Sequence, residues 1–212
     1  MRKLVTVALL VFLVSPIVAQ DILLEDYQNG GKFSVADWSN SFEDDKGNKN
    51  AAIDDGDFAA VSWATKWSGI PSTGETMDVS AYKTYQADVM VPKGQPVEDD
   101  SNFYFQLTTE TSEGYAYWEK FIPQSKIPAD GKWYRVHFPI KMMDTGSGEG
   151  AEAPKDFKTI NGCVCGMTYD EDGDKFKFKH AMFDNITLTT KEIDGIKVTN
   201  SPKTVNPPKK KK

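Results

Sequence analysis

The residues best suited to catalysis are few in this sequence, and none stands in a pattern that an enzyme requires. His137 and His180 are the only histidines, and neither lies in a nucleophile-elbow, zinc-site or phosphate-loop motif. Hydrolysis of a glycosidic bond needs two carboxylates held at a set separation. The chain has 31 Asp and Glu, but no pair is distinguished by its setting. The sequence therefore predicts a protein that is not an enzyme.

Cys163 and Cys165 are the only cysteines, and they stand two residues apart. On a strand both side chains would point to the same face, where they are poorly placed to form a disulfide with each other. No further Cys or His stands close to them in the sequence to complete a metal site. Two interpretations remain open: a pair of small buried hydrophobic side chains, which we favour, or a redox role.

Polar side chains alternate with apolar ones in three segments, around residues 85–91, 103–109 and 135–140. This period of two predicts strands with one buried face. Six side chains then point outward and could form hydrogen bonds with a ligand: Gln86, Asp88, Tyr104, Gln106, Arg135 and His137. A solvated sheet face that binds nothing would show the same pattern.

The pattern along the whole chain predicts an all-β fold. Short alternating segments are separated by clusters of Asp, Asn and Gly, which supply tight turns, and helix signals are nearly absent. Many short strands with such turns are typical of a β-sandwich. Residues 144–154 are rich in Gly and acidic residues, and we predict a long mobile loop there.

The two ends of the chain differ from its body. Residues 1–19 have a basic start, a short apolar run and a small residue before the expected cut, which predicts a signal peptide and export to the periplasm, cell surface or medium. Residues 20–191 are the predicted domain, and no second apolar run in the mature chain is long enough to span a membrane. Residues 192–212 are a predicted polar tail ending in lysines, either a solubilising end or a contact with an anionic envelope.

The charge balance narrows the class of partner. The chain carries 25 Lys and Arg against 31 Asp and Glu, a net charge of −6. Without Arg2, Lys3 and the four terminal lysines the balance becomes 19 against 31, or −12. Binding to nucleic acid requires a basic surface, so the acidic body argues against that partner.

Four segments, taken in order, resemble the family 11 carbohydrate-binding modules and their wider group of galactose-binding-like jelly rolls. The opening Leu-Leu-Glu-Asp-Tyr is similar to the hydrophobic-Asp-Asp-Phe start of that family, although Gln28 stands where the family has Glu. The other three are the Asp-Val-Ser-Ala-Tyr-Lys entry to a central strand, a Trp-led strand closed by Pro139, and the final Phe-Asp-Asn-Ile-Thr-Leu strand. They occupy residues 23–27, 78–83, 131–139 and 183–188. The resemblance implies a jelly-roll β-sandwich.

The resemblance also implies a ligand, a neutral polysaccharide such as a β-glucan. Members hold the chain on a concave sheet face, where rings stack on sugar C–H groups and polar side chains pair with hydroxyls. Trp63, Trp67 and Tyr169 lie where the aromatic strands of the family run, and Tyr115, Tyr117 and Trp118 form a further cluster. For the Trp residues, packing in the core is an equal alternative. The expected ligand-binding set is Trp63, Trp67, Asp88, Tyr104, Gln106, Arg135, His137 and Tyr169.

The resemblance further implies a structural Ca²⁺ where the first and last strands meet. Asp26 and Asp184 would be its side-chain ligands, because calcium prefers hard oxygen donors. The acidic residues 170–174 look partly like a calcium loop but lack the distal Glu, and we favour a turn there.

Two classes of function follow from the sequence. The first is non-catalytic binding of a polysaccharide by an exported single domain. The alternative is a structural component of the cell envelope or of a periplasmic filament sheath, which would use the same fold for protein contacts. An exposed groove with rings favours the first, and a flat or convex apolar patch favours the second.

Overall fold

The computed structural model describes residues 21–27, 30–36, 51–52, 60–63, 67–96, 102–148, 150–168 and 180–199. The predicted signal peptide and the lysine-rich end lie outside these residues. Within the described part of the chain, no helix is long and apolar enough to cross a membrane. The only helical turns described are two short 3-10 segments, Gln124–Lys126 and Ile140–Met142.

Strands make up most of the described chain, and we number them in chain order. The strands are β1 (Ile22–Glu25), β2 (Ser34–Val35), β3 (Ala51–Ala52), β4 (Ala60–Trp63), β5 (Trp67–Asp78), β6 (Thr84–Met90), β7 (Asn102–Thr111), β8 (Gly114–Pro123), β9 (Trp133–Pro139), β10 (Asp144–Gly148), β11 (Thr159–Thr168), β12 (His180–Thr189) and β13 (Gly195–Val198). For β3, β4 and the ends of β5 and β11, we describe the backbone pairing alone.

Two antiparallel sheets pack against each other. The six-stranded sheet has the order β10-β8-β7-β11-β5-β2. The seven-stranded sheet has the order β13-β9-β6-β12-β4-β3, and β1 pairs with β12 as its seventh strand. The prediction of an all-β sandwich is therefore confirmed, while the narrower jelly-roll assignment stays a prediction.

The core lies between the sheets because the alternating apolar side chains of both sheets point inward. Tyr85, Ala87 and Val89 of β6 are fully buried and face Phe103, Phe105 and Leu107 of β7 across the core. Rings fill much of the space: Tyr85 stacks on Phe138 at 5.5 Å between centroids, and Phe105 meets Phe183 edge-on at 6.1 Å. Since successive side chains on a strand point to opposite faces, the residues between these point away from the core.

A bulge interrupts the last long strand. The pairing of β12 with β6 shifts register between Asp184 and Thr187, and Asn185 there has a left-handed φ of 49°. Asn tolerates this conformation better than most residues because its short amide can hydrogen-bond locally. The bulge lets Ile186 point into the core while Asp184 and Thr187 both stay on the outer face.

The loop prediction for residues 144–154 is wrong in its first part. Residues Asp144–Gly148 form the edge strand β10, which pairs with β8 from Asp144↔Glu119 to Gly148↔Tyr115. The glycines that suggested a loop leave room for two tyrosine rings of β8, which occupy the space above them. Gly in a strand often marks such a close approach.

A described strand lies beyond residue 191, where we expected the domain to end. Strand β13 lies in the segment predicted to be a polar tail, and it extends the seven-stranded sheet by pairing with β9. Most side chains of β13 are exposed to solvent, and Val198 is 60% exposed. An edge strand with so little buried surface carries no strong hydrophobic pattern, so the sequence did not reveal it.

Candidate functional site

Two of the predicted ligand-binding residues form an ion pair with each other. Arg135 on β9 lies opposite Asp88 on β6, and its Nε and Nη2 each donate to one carboxylate oxygen of Asp88 at 2.7 Å. Asp88 is fully buried, and Arg135 is about one-third exposed. A two-point guanidinium–carboxylate pair of this kind is strong and geometrically specific. The pair holds the outer face of the seven-stranded sheet together.

The same network reaches the neighbouring strand. Asn185 at the bulge donates through Nδ2 to Asp88 at 3.2 Å and to Asp184 at 3.0 Å. Burial is the first cause that raises the pKa of Asp184 to about 7, with repulsion from Asp88 and Asp26 added. Asp88, Arg135, Asp184 and Asn185 therefore each have at least one hydrogen-bond partner within this network.

His137 lies near the network and contacts the edge strand beside it. Its Nδ1 is 3.2 Å from the carbonyl oxygen of Gly195, on the edge strand β13. Burial first, and then the positive charges of Lys197 and Arg135, lower the pKa of His137. The imidazole is therefore neutral at physiological pH, and its role here is to join β9 to β13.

The prediction that these polar residues share one ligand-binding face is wrong, because they lie on two different sheets. Asp88, Arg135 and His137 point outward from the seven-stranded sheet. Tyr104 and Gln106 point outward from β7 in the six-stranded sheet, on the opposite side of the sandwich. The core separates the two groups, so they cannot contact one ligand together.

The three remaining residues of the predicted set are only partly placed. Trp63 pairs with His180 at the end of β4, and Trp67 pairs with Thr168 at the start of β5. Tyr169 lies outside the described residues. The ligand contacts of these three stay a prediction.

The predicted calcium ligands lie where the first strand meets β12, the last long strand. β1 pairs with β12, Asp26 directly follows β1, and Asp184 lies on β12 beside the bulge. Asp26 accepts a hydrogen bond from the Gly30 N–H at 2.8 Å, and Asp184 accepts one from the Asn185 N–H at 2.7 Å. Within the described ranges, no group of three or more His, Cys, Asp or Glu is arranged to hold a metal. Backbone carbonyls would have to supply the remaining oxygen ligands.

The outer surface of the six-stranded sheet carries a row of rings, and we call it the aromatic face. It is defined by Tyr104 and Gln106 on β7 and by Tyr115, Tyr117, Glu119 and Phe121 on β8, which alternate with the core residues of those strands. Tyr104 stacks on Phe121 with 5.2 Å between centroids, and Tyr115 and Tyr117 are 6.0 Å apart. Tyr115 is 40% and Phe121 36% exposed. Large rings left open to solvent on one surface mark a candidate binding site.

Glycines of the edge strand set the position of these rings. Gly146 pairs with Tyr117 and Gly148 pairs with Tyr115 across β8 and β10. A Cβ atom on Gly148 would lie 2.5 Å from the ring of Tyr115, and one on Gly146 would meet the ring of Tyr117 in the same way. The two rings therefore lie over the backbone of β10, and any side chain at these positions would push them away.

A groove runs beside the rings. It has a volume of about 380 Å³, and Tyr115 forms one of its walls. Its polar lining includes Gln106, Thr108, Glu110 and Asn161, whose side chains can donate and accept hydrogen bonds. A ring beside a polar groove suits a sugar chain, because the C–H faces of the sugar stack on the ring while its hydroxyls pair with polar side chains.

A second groove, of about 500 Å³, is formed by turns and strand ends of the sandwich. Five charged residues line it, and two of them, Lys141 and Glu192, form an ion pair at 2.5 Å across its rim. Trp118 reaches it but is only 4% exposed and packs edge-on against Phe157. This groove has charges and little open ring surface, so the aromatic face is the better candidate.

Cys163 and Cys165 behave as the favoured interpretation predicts. Both are fully buried on β11 and unpaired, and the Tyr85 hydroxyl lies 3.1 Å from the sulfur of Cys165. Burial raises the pKa of Cys165 to about 12, so its thiol stays protonated and unreactive near neutral pH.

Sequence reasoning missed Glu119 and Phe121 on the aromatic face, although a signal was present. Tyr115, Tyr117, Glu119 and Phe121 alternate with Ala116, Trp118 and Ile122, which is the same period of two that identified β6 and β7. The neighbouring edge strand was interpreted as a loop, so no partner was expected for this side of β8.

In comparisons with known proteins, no family model, no curated protein and no solved structure matches the chain.

Proposed function

We propose that this is an exported, non-catalytic binding protein that holds an extended polysaccharide without negative charge, such as a β-glucan, on the aromatic face. The observation that supports this most is the row of rings on β8, where Tyr115 and Phe121 are exposed and Tyr115 borders a polar groove. A galactose-binding-like jelly roll, as the sequence resemblance implies, is the fold that we propose for it.

The proposed contacts follow from the chemistry of a sugar chain. Tyr115, Tyr117 and Phe121 would stack on the C–H faces of successive residues, and Gln106 would pair with their hydroxyls. The surface is shallow, so each hydroxyl exchanges water for a protein partner and the gain in apolar burial is small. We therefore expect weak binding that needs several sugar residues together.

The charge of the face favours a ligand without carboxylate or sulfate groups. Glu110, Glu119 and Asp144 lie on this surface, and the described strands of the six-stranded sheet place no Lys or Arg among its outward residues. An anionic polymer would meet repulsion both here and from the acidic molecule as a whole.

Affinity electrophoresis tests the proposal directly. We expect gels containing mixed-linkage glucan to retard the wild-type protein, and Tyr115→Ala and Tyr117→Ala to remove most of that retardation. Tyr82→Ala, which removes a ring from the second groove, is the matched control and should keep it. The melting temperature of each variant establishes that it is folded. Incubation with the same polysaccharides should release no reducing ends, and such release would overturn the non-catalytic assignment.

The alternative of a structural envelope or filament component rests on the same exposed rings, since Tyr115 and Phe121 could equally be buried against protein. It predicts assembly that depends on protein concentration and is lost in Tyr115→Ala. If no polysaccharide retards the protein and such assembly is found, the alternative replaces the binding proposal.

A further inference from the structure

The residues of the aromatic face form rows that run across the six-stranded sheet. Cross-strand pairing aligns Asp144 of β10, Glu119 of β8 and Gln106 of β7 in a single polar row. The row on one side of it contains Phe121 and Tyr104, and the row on the other side begins with Gly146 and Tyr117. Directly opposed residues have Cβ atoms about 4.5–5.5 Å apart, so the polar row is continuous and enclosed by rings.

The two carboxylates of this row oppose each other without a cation between them. Like charges directly opposite on paired strands destabilise a sheet. Burial first and the neighbouring Asp144 second raise the pKa of Glu119. In the part of the chain that the structure describes, neither carboxylate forms an ion pair. An unrelieved pair of this kind is a cost that a positively charged ligand would remove.

Gln106 supplies an independent sign of a ligand. It is only 7% exposed, yet its side-chain amide makes no hydrogen bond within the described structure. Buried side-chain polar atoms without a partner are found at other described residues, so the amide of Gln106 itself is open to the groove, where a ligand can replace water. The amide points outward from β7 into the groove, next to Glu119, where a ligand can reach it.

The rings on either side of the row complete the environment. Phe121 and Tyr117 flank Glu119 along β8, and Tyr104 stacks on Phe121 with 5.2 Å between centroids. The face of an aromatic ring attracts a cation, most strongly when solvent is excluded. Rings would supply no ligands to Ca²⁺, which needs six to eight oxygens. Carboxylate, amide oxygen and ring faces together suit an organic ammonium group.

We propose that the polar row of Asp144, Glu119 and Gln106 binds the protonated amine of a saccharide, so that the preferred polymer contains amino sugars such as glucosamine. The amine donates to the carboxylate of Glu119 and to the amide oxygen of Gln106, and its sugar ring stacks on the neighbouring aromatic rings. This inference rests on the proposed polysaccharide-binding function and names the chemical class of the ligand.

Three oligomers of the same linkage and length test the inference: six-residue β-1,4-linked chains of glucosamine, of N-acetylglucosamine and of glucose. Titration calorimetry at about pH 6, below the usual pKa of an amine, keeps the amine charged. The glucosamine chain should bind about tenfold more tightly than the other two, in line with the strength of a charge-assisted hydrogen bond. Glu119→Gln should remove this preference.

Asp194→Asn is the matched control, since it removes the same charge from an exposed turn before β13 in the other sheet. It should keep the preference for glucosamine. Glu119→Gln also removes a repulsion and should melt no lower than wild type, so a lost preference is not a folding defect.

Each remaining outcome has a distinct meaning. If the glucose chain binds as well as the glucosamine chain, the inference is wrong and the proposed function stands. If glucosamine binding weakens equally in Glu119→Gln and Asp194→Asn, the attraction is a general effect of net charge and the inference is also wrong. If none of the three chains binds, the proposed function fails as well.

Discussion

At the scale of the residue, chemical type alone did not distinguish a ligand contact from an internal one. Asp88, Arg135, Gln106 and Tyr104 all alternate with apolar neighbours, and all are polar side chains suited to binding sugars. Asp88 and Arg135 are bound to each other, whereas the Gln106 amide has no hydrogen-bond partner among the described residues. Hydrogen-bonding partners depend on which strands become neighbours, and that information is long-range.

We predict that Arg135→Ala acts on stability. The change leaves the fully buried Asp88 without its cation, and loss of one member of a buried pair destabilises by about 3 kcal/mol. Urea unfolding measures the difference. The control Lys141→Ala breaks an ion pair whose two side chains are more than half exposed, and should cost under about 1 kcal/mol. Equal effects of the two variants would contradict the structural role of Asp88–Arg135.

A pH dependence is predicted for Glu25, which is 1% exposed. Burial raises its pKa from 4.5 to about 7, while one oxygen accepts a hydrogen bond from the Tyr27 N–H at 2.5 Å. Between these two pH values the unfolded chain loses the proton and the folded protein keeps it. Stability from this group is therefore full below about pH 4.5 and falls as pH rises through 7.

Glu25→Gln removes this ionisation and keeps an oxygen for the Tyr27 N–H. The variant should gain stability relative to wild type as pH rises from 5 to 8, by roughly 2–3 kcal/mol. Thermal melts of both proteins across this range measure the difference. Asp184 shifts the wild-type curve in the same direction, but it is common to both proteins and cancels. Parallel melting curves would show that Glu25 does not titrate in this range.

At the scale of the element, periodicity predicted the strands but not their sheet. The alternation of β6, β7 and β9 is clear in the sequence and is confirmed. The same alternation looks identical in either sheet, so it could not reveal that β6 and β7 face opposite sides of the sandwich. The glycine-rich β10 was missed because its contribution is space for the rings of β8, and an absent side chain leaves no hydrophobic signal.

The edge strand leads to a prediction that separates binding from stability. Gly146→Ala should weaken retardation by glucan at least several-fold, because the added methyl group displaces the ring of Tyr117 from its place over β10. The ring is at the surface and can swing outward, so the unfolding free energy should fall by under about 1 kcal/mol. Ser147→Ala, between the two glycines, is the control for affinity electrophoresis. Unchanged retardation in Gly146→Ala would show that the position of the Tyr117 ring does not matter for binding.

The junction of β1 with β12 gives a prediction about calcium. If Asp26 and Asp184 hold Ca²⁺, adding it to chelated protein should raise the melting temperature, since a ligand of the native state alone stabilises that state. The Asp184→Asn variant should lose the response. Asp156→Asn, which changes an exposed acid paired with Lys158, should keep it. If the melting temperature is the same with calcium and with chelator, the metal hypothesis is wrong.

At the scale of the whole molecule, net charge acts on a ligand at a distance, and ring stacking acts only in contact. The net charge of −6 is felt by any charged polymer at a distance, whereas stacking on Tyr115 and Tyr117 acts only in contact. Salt screens the effect of net charge beyond about 10 Å at 0.1 M, and it leaves stacking on the rings largely unchanged. The ionic strength of the medium therefore reports which of the two governs binding.

We predict that retardation by a neutral glucan is insensitive to salt and that alginate does not retard the protein at any salt concentration. Retardation by a glucosamine polymer should fall as salt rises, since its amine is held by Glu119 and Asp144. Gels at about 0.02 M and 0.3 M salt bracket the range in which screening changes most.

Tyr117→Ala should weaken binding to both the neutral and the amino polymer, and Glu119→Gln only to the amino polymer. If alginate is retained at high salt, contact chemistry outweighs the acidic charge, and the face accepts anionic chains after all.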